Sequence, residues 1–420
     1  MSAAGPLFVR GGSVDGEPVG LRAADGVIVA LGPGVEAEPG DEILDGEGTA
    51  IVAGFLNGHT HAAMTLFRGF AEDLPLMEWL TEHIWPAEAR LDPDDVYWGA
   101  RLACAEMIRS GTVAFWDMYW QPGATARAVT DSGLRAAIGA PLIDGGDDDA
   151  TARLRELAVA ALDELADAPP AVSPVLAPHA IYTVSGSSLE WVAAESERLA
   201  LPIHIHLSET ESEVADCVAA HGLRPAAYLD RLGVLGPRTL LAHGIWLDDA
   251  ERELIAERGA TIVTNPSANM KLGVGSFDLP AARAAGIAVG LGTDGAGTNN
   301  SLSLLGEVKQ MALMQKHRAG DPAAVTAAEA LAIATGAAAP LLGAPGPPRV
   351  GGPADFLLVR LDDPALALGS LEAGLVYAAS PSVVDSTVVG GSALMRGGML
   401  EGEGEIVARA RERARRLGLS

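Results

Sequence analysis

Lysine is almost missing from this chain of 420 residues: Lys271, Lys309 and Lys316 are the only three, against 55 Asp and Glu. With 29 Lys and Arg in all, the formal charge at pH 7 is −26. A surface so negative repels a phosphate backbone and anionic lipid, which argues against nucleic acid and membrane surfaces as partners. Cysteine is equally scarce. Cys104 and Cys217 stand outside any C-x-x-C pattern, so a disulfide scaffold is excluded and both read as small buried hydrophobes. No apolar run of about 18 residues free of charge occurs, so no transmembrane helix is expected. Met1–Arg10 has no basic stretch followed by an apolar one; no secretory leader is expected, and a cytoplasmic protein follows. What is there is 49% apolar, enough for a deep core.

Residues 5–53 read as short strands punctuated by Gly, Asp and Pro clusters. Beyond Phe55, short β-rich runs alternate with longer helical patterns, the texture of parallel βα units. Eight strands are predicted: Ile51–Leu56, Thr112–Phe115, Arg135–Gly139, Val172–Ala177, Pro202–His206, Thr239–His243, Thr261–Thr264 and Ile287–Gly292. Helices are expected between them, as at Asp94–Arg109, Thr151–Ala166, Leu189–Leu199 and Asp248–Arg258. The fold class is thus α/β, a (β/α)8 barrel over 55–353. Strand texture returns from Ala354, and residues 1–54 with 354–420 are expected to form a small discontinuous β-sandwich. The Arg-rich helix Glu405–Leu417 reads as a solvated cap.

The histidines follow this plan. His59 and His61 form H-x-H after the first barrel strand, and side chains two apart on extended chain share a face. His179, His206 and His243 follow or end strands four, five and six, and Asp294 follows strand eight. Active sites of such barrels lie at those strand ends. One histidine alone is ordinarily a packed residue; this series is not a coincidence. Imidazoles with one carboxylate suit a borderline divalent ion, Zn2+ first, with Fe2+ and Mn2+ tolerated. A bridged two-metal site in such barrels needs a carboxylated lysine at strand four, and no lysine precedes Lys271. One metal is therefore expected, on His59, His61, His206 and Asp294, with His243 hydrogen-bonding the attacking water. Glu209, three residues after His206, lies in the loop above, placed to shuttle protons. His83, His204, His221 and His317 fall outside this layer, and His204 is left unassigned. Trp85, Trp116 and Trp120 are read as core.

These residues resemble the amidohydrolase superfamily, and within it the 5′-methylthioadenosine/S-adenosylhomocysteine deaminase family. The resemblance runs through Val52–His61, Met77–Leu80, Trp85–Glu88, Ala177–Thr183, His206–Thr210, Asn265–Leu272 and Gly292–Gly295. Glu88, His179 and the Asn-Pro-x-x-Asn-x-Lys-Leu segment are its more specific parts. It implies hydrolysis of a 5′-modified adenosine (5′-methylthioadenosine, S-adenosylhomocysteine, 5′-deoxyadenosine or adenosine) to the inosine analogue and ammonia. It also implies catalysis by Glu209, His243 and Asp294, ribose hydroxyls on Glu88, a substrate contact from His179, and self-association. Family members that bind a homocysteine carboxylate use two arginines after strand three. The first position here is Ala140 and the second is Arg153. A lone arginine recognises a carboxylate weakly, so uncharged 5′ substituents are expected.

Two other readings use the same fold. Deaminases of guanine, pterins or 8-oxopurines, and triazine chlorohydrolases, share such a metal site, but a vicinal diol for Glu88 argues for a nucleoside. A non-catalytic scaffold would be expected to have lost ligands, and all four are present.

Overall fold

The computed structural model describes residues 5–419 apart from 146, 148 and 149. Five strands come first: β1 (Leu7–Val14), β2 (Glu17–Ala24), β3 (Val27–Gly32), β4 (Glu42–Asp45) and β5 (Thr49–Ala53). The central strands are β6 (Phe55–Thr60), β7 (Thr112–Met118), β8 (Arg135–Gly139), β9 (Pro141–Leu142), β10 (Val172–Pro174), β11 (Ala177–Pro178), β12 (Ile203–Leu207), β13 (Thr239–His243), β14 (Thr261–Thr264) and β15 (Ala288–Leu291). Four close the chain: β16 (Phe356–Arg360), β17 (Val384–Val389), β18 (Ser392–Arg396) and β19 (Met399–Leu400).

The run Ile51–Leu56, predicted as one strand, belongs to two. β5 joins the terminal sheet and β6 opens the barrel, with Gly54 between them; a side chain at Gly54 would run into Val113. The strand carrying His59 therefore reaches Thr60, further than predicted.

Both termini contribute to one nine-stranded sheet, ordered β19-β18-β17-β16-β5-β1-β2-β3 with β4 beside β1. The expected pair of sheets is one continuous sheet because β1 serves two neighbours. Its first half pairs with β4, and beyond a bulge between Val9 and Gly12 it meets β5 at Ser13 and Ala50. β16 alternates as a strand buried on both faces must. Phe356 and Leu358 enter the core of this sheet, whereas Leu357 and Val359 enter the barrel core.

The eight parallel strands lie in two four-stranded arcs, β10-β8-β7-β6 and β12-β13-β14-β15, linked by a single parallel bridge between Leu176 and Ile203. The barrel is not a closed ladder as expected. β15 stops at Leu291, and the chain turns into left-handed backbone at Asp294 (φ 61°). Individual bonds make the seam with β6 instead: Thr293 N to Asn57 Oδ1 (3.1 Å), Asn57 Nδ2 to Thr293 Oγ1 (2.8 Å) and Asp294 N to His59 O (3.0 Å). Helices at Pro93–Arg109, Thr151–Leu165, Gly186–Leu199 and Asp249–Arg258 stand where helices are predicted. Capping boxes at Asp92 and Asp248 start the first and last of these.

The C-terminal helix, Glu403–Leu417, is not a solvated cap. Ala410 and Leu417 are buried in the cluster that holds Phe67, Trp79 and Ile84. Its arginines meet the acidic start of helix Pro93–Arg109: Arg413 reaches Asp94 at 3.0 Å, and Arg416 Nε reaches the buried Asp95 at 3.1 Å. Cys104 and Cys217 are buried free thiols, as read. No helix among the described residues is long and apolar enough to cross a membrane.

Candidate active site

β6 points His59 inward, and His61 follows it on the same side. Thr60 between them is pinned by bonds from its Oγ1 to Trp116 O (2.8 Å) and Asp117 Oδ1 (2.9 Å). Four imidazoles then share one arrangement, each with Nδ1 engaged. His59 Nδ1 meets His204 Nε2 (2.8 Å) and His61 Nδ1 meets Met118 O (2.6 Å). His206 Nδ1 meets His179 O (2.7 Å) and His243 Nδ1 meets Asn269 Oδ1 (2.8 Å). This leaves each Nε2 free to face another partner, as metal-binding histidines require. The Nε2 atoms of His59 and His61 lie 3.4 and 3.2 Å from Asp294 Oδ1, whose other oxygen accepts from Thr298 Oγ1 (2.7 Å).

The donor atoms of His59, His61 and Asp294 lie within 4.8 Å of one another, as do those of His59, His206 and His243. His59 Nε2 is buried and makes no hydrogen bond, an orphaned ring nitrogen that a cation would satisfy once its lone pair faces the site. The residues therefore fit a divalent metal, and the cluster is a His-rich metal site.

Electrostatics agree. Burial drives His59 down to about 4, against the pull of Asp294, and holds His206 well below its ordinary range, so both offer neutral nitrogens. Burial also opposes charge on His61, but Asp294 and the Met118 carbonyl outweigh it and lift His61 to about 9. Asp294 stays ionised despite burial, because His59 and His61 hold it well below the usual carboxylate range. The spot beside Asp294 thus favours positive charge. Backbone strain collects here too: Ser208 (φ 48°), His243 (φ 73°) and Asp294 (φ 61°) are left-handed non-glycine residues at strand ends.

Above this cluster is a cavity whose lining includes Glu88, His179 and Glu209. Glu209 is buried, with Oε1 3.9 Å from His243 Nε2, and burial raises its carboxyl. Its loop is held by Glu213, whose carboxylate accepts from Ser208 N (2.9 Å) and Glu209 N (2.8 Å). Glu88 is also raised by burial, against hydrogen bonding from Trp120 Nε1 to its Oε2 (3.0 Å). His179 Nδ1 meets Thr183 Oγ1 at 2.9 Å. One wall is apolar, built from Leu76, Trp79, Leu80, Ile84 and Trp85.

Arg153 does not join them. It is exposed on the outer helix Thr151–Leu165, and among the described residues no Arg or Lys lines the cavity. Of the tryptophans read as core, Trp85 and Trp120 line the cavity; Trp116 packs beneath it, edge-on to His204. Sequence reasoning missed His204, Glu213 and Thr298, and singled out the segment of Asn269 without its bond to His243. For His204 the signal was present: it stands two residues before His206, the same spacing that pairs His59 with His61.

A sequence model described as the amidohydrolase family matches residues 50–394. A 5′-deoxyadenosine deaminase of Methanoregula boonei is 46% identical over 382 residues, 89% of this chain and 86% of the relative. The 5-methylthioadenosine/S-adenosylhomocysteine deaminase 1 of Archaeoglobus fulgidus is 42% identical over 390 residues, covering 91% and 92%. Among solved structures, an adenosine deaminase from Xanthomonas campestris with bound zinc superposes with a TM-score of 0.91 at 34% identity, covering 99% of each chain. An atrazine chlorohydrolase from Arthrobacter aurescens shares the fold, at TM-score 0.88 and 24% identity over 97% of this chain and all of that one (100%). With its strand-end histidines and Asp294 arranged as above, the chain belongs to the amidohydrolase family.

Proposed function

We propose that the chain is a metal-dependent hydrolytic deaminase of 5′-modified adenosines, converting the adenosine and water to the inosine analogue and ammonia. One observation carries the reading: the Nε2 atoms and Asp294 gather on one side of the cavity, and the buried carboxyl of Glu209 stands over them. The names of the Methanoregula and Archaeoglobus relatives support the nucleoside.

His59, His61, His206 and Asp294 would hold the ion, and the zinc of the Xanthomonas relative supports Zn2+. When bound, the ion supplies a water of lowered pKa as nucleophile. Asn269 accepts from His243 Nδ1, so the lone pair of His243 Nε2 is left to orient an attacking water, and Asp294 would accept its proton. Glu209 protonates N1 of adenine, which makes C6 electrophilic; it then takes the proton of the new C6 hydroxyl and delivers it to the amino group as the C6–N bond breaks, and the proton held by Asp294 restores Glu209. Burial keeps Glu209 a better proton donor towards neutral pH than a solvated carboxyl. Glu88, held by Trp120, takes ribose hydroxyls, and His179 contacts the nucleoside.

The apolar wall and the lack, among the described residues, of a lining Arg or Lys favour an uncharged 5′ substituent over a carboxylate. Arg153 has no part in this reading. Loss of adenine absorbance, followed over a panel of 5′-methylthioadenosine, 5′-deoxyadenosine, adenosine, S-adenosylhomocysteine and free bases, tests it. Turnover of the nucleosides, abolished by Glu209→Ala, is expected. Activity on free bases alone would overturn the reading. A preference for S-adenosylhomocysteine of about tenfold or more would overturn its 5′ part.

A further inference from the structure

His61 and His206 rest on backbone carbonyls, which accept, and His243 Nδ1 on Asn269 Oδ1 at 2.8 Å, with Asn265 Nδ2 further off at 3.4 Å. Each of these oxygens therefore fixes the proton on Nδ1. His59 differs. Its Nδ1 is 2.8 Å from His204 Nε2, and a ring nitrogen either donates or accepts, so the direction of this bond is set by what each ring does on its other side. His59 and His204 are both fully buried, and two nitrogens of the pair are orphaned: His59 Nε2 and His204 Nδ1.

Two proton arrangements are open to a neutral pair. In one, His204 donates from Nε2, and His59 carries its own proton on Nε2 towards Asp294, 3.4 Å away. That arrangement leaves His59 unable to bind a cation. In the other, His59 donates from Nδ1, His204 Nε2 accepts, and His59 Nε2 turns a lone pair to the site. His204 must then carry its proton on Nδ1, a buried donor with no hydrogen-bond partner, at a cost that protein structures rarely leave unexplained.

We propose that His204 is a positioning residue: in the metal-loaded protein its Nε2 accepts the Nδ1 proton of His59 and so aims the His59 lone pair at the ion. The proposal rests on the metal-dependent reading above. It gives a role to a fully buried histidine on the face of β12 that also carries His206.

The test is Zn2+ affinity, measured by competition with a chelator, for wild type, His204→Leu and His204→Gln. Leucine removes the acceptor and is expected to weaken Zn2+ binding about 10- to 100-fold, the range found for outer partners of metal-binding histidines. Glutamine returns an oxygen acceptor and is expected to stay within about threefold of wild type. The metal-free leucine variant should unfold within a few degrees of metal-free wild type, because one orphaned nitrogen replaces another. Nitrogen-15 spectra of the Zn2+-loaded wild type should show His204 protonated on Nδ1 and bare on Nε2. Equal Zn2+ affinity in wild type and leucine variant, equal weakening by leucine and glutamine, or a proton on His204 Nε2 would each overturn the proposal. A wild type that takes up no Zn2+ would instead overturn the metal-dependent reading, and the proposal with it.

Discussion

Lys271 Nζ lies 2.6 Å from Glu72 Oε2 and joins the segment after β14 to the loop after β6. Asn300, beyond β15, completes the knot: its Nδ2 donates to Glu72 Oε1 at 2.8 Å, and its Oδ1 accepts from Lys271 at 2.5 Å. Ala71, Asp73 and Asn300 all hold left-handed backbone around this carboxylate. The loop so tethered leads directly into the apolar wall Leu76–Trp85. Lys271→Met should therefore loosen the wall, raising KM about three- to tenfold while kcat stays within about twofold. The side chains are 26% and 30% exposed, so added salt should raise the wild-type KM and leave that of the variant unmoved. Steady-state kinetics at two ionic strengths read both effects.

Glu307 makes the fold pH-dependent. Burial lifts its carboxyl to about 7, although Ser267 N (3.0 Å) and Asn299 Nδ2 (2.8 Å) donate to it. Its folded pKa lies above that of the unfolded chain, so the folded state retains a proton that the unfolded state releases. The resulting stability is full below about pH 4.5 and is lost as pH rises through about 7. Glu307→Gln should flatten this part of the profile, gaining relative to wild type between pH 5 and pH 8 in thermal unfolding.

Arg416 is the main partner of a carboxylate that water does not reach. Asp95 is fully buried and doubles as the capping-box acid, with Oδ2 accepting from Asp92 N at 2.9 Å. Arg416→Ala leaves it only Arg413, at 4.0 Å, among the arginines of the C-terminal helix. A loss of about 1–3 kcal/mol is expected, read from the denaturant midpoint.

Removing the metal should act on stability as well as rate. A chelator is expected to abolish turnover and lower the unfolding temperature, and Zn2+ to restore both. An ion at a thousand times its Kd contributes about 4 kcal/mol.

Much of the site was legible because its chemistry follows strand geometry. His59, His61, His206 and Asp294 can be read from period two and from strand ends, and Glu209 from its place after His206. His204 obeys the same rule, yet its role depends on a ring one strand away, and spacing along one strand does not name that partner. The break at Gly54 was hidden because Ile51–Leu56 is an unbroken apolar run; only the crowding by Val113 forces the change of sheet. Arg153 sits in helical periodicity that an outer helix and a pocket-facing segment share. The C-terminal helix reads as solvated because its arginines are numerous, and their acidic partners at Asp92–Asp95 are over 300 residues away in sequence.

The pairing of β5 with β16 has a consequence for the chain while it is being made. Thr49–Ala53 emerges from the ribosome early, but its partner Phe356–Arg360 follows only some 300 residues later. Until then one side of β5 lacks its neighbour, and the apolar residues of β1 and β2 lack the part of their core that Ala354, Phe356, Leu358 and Val388 supply. The barrel is nearly complete before the sheet that spans its two ends can close, and at about 5–20 residues per second the wait is some tens of seconds. Growth of this polypeptide therefore passes through an interval in which an unpaired strand edge is exposed, and self-association is most readily seeded then.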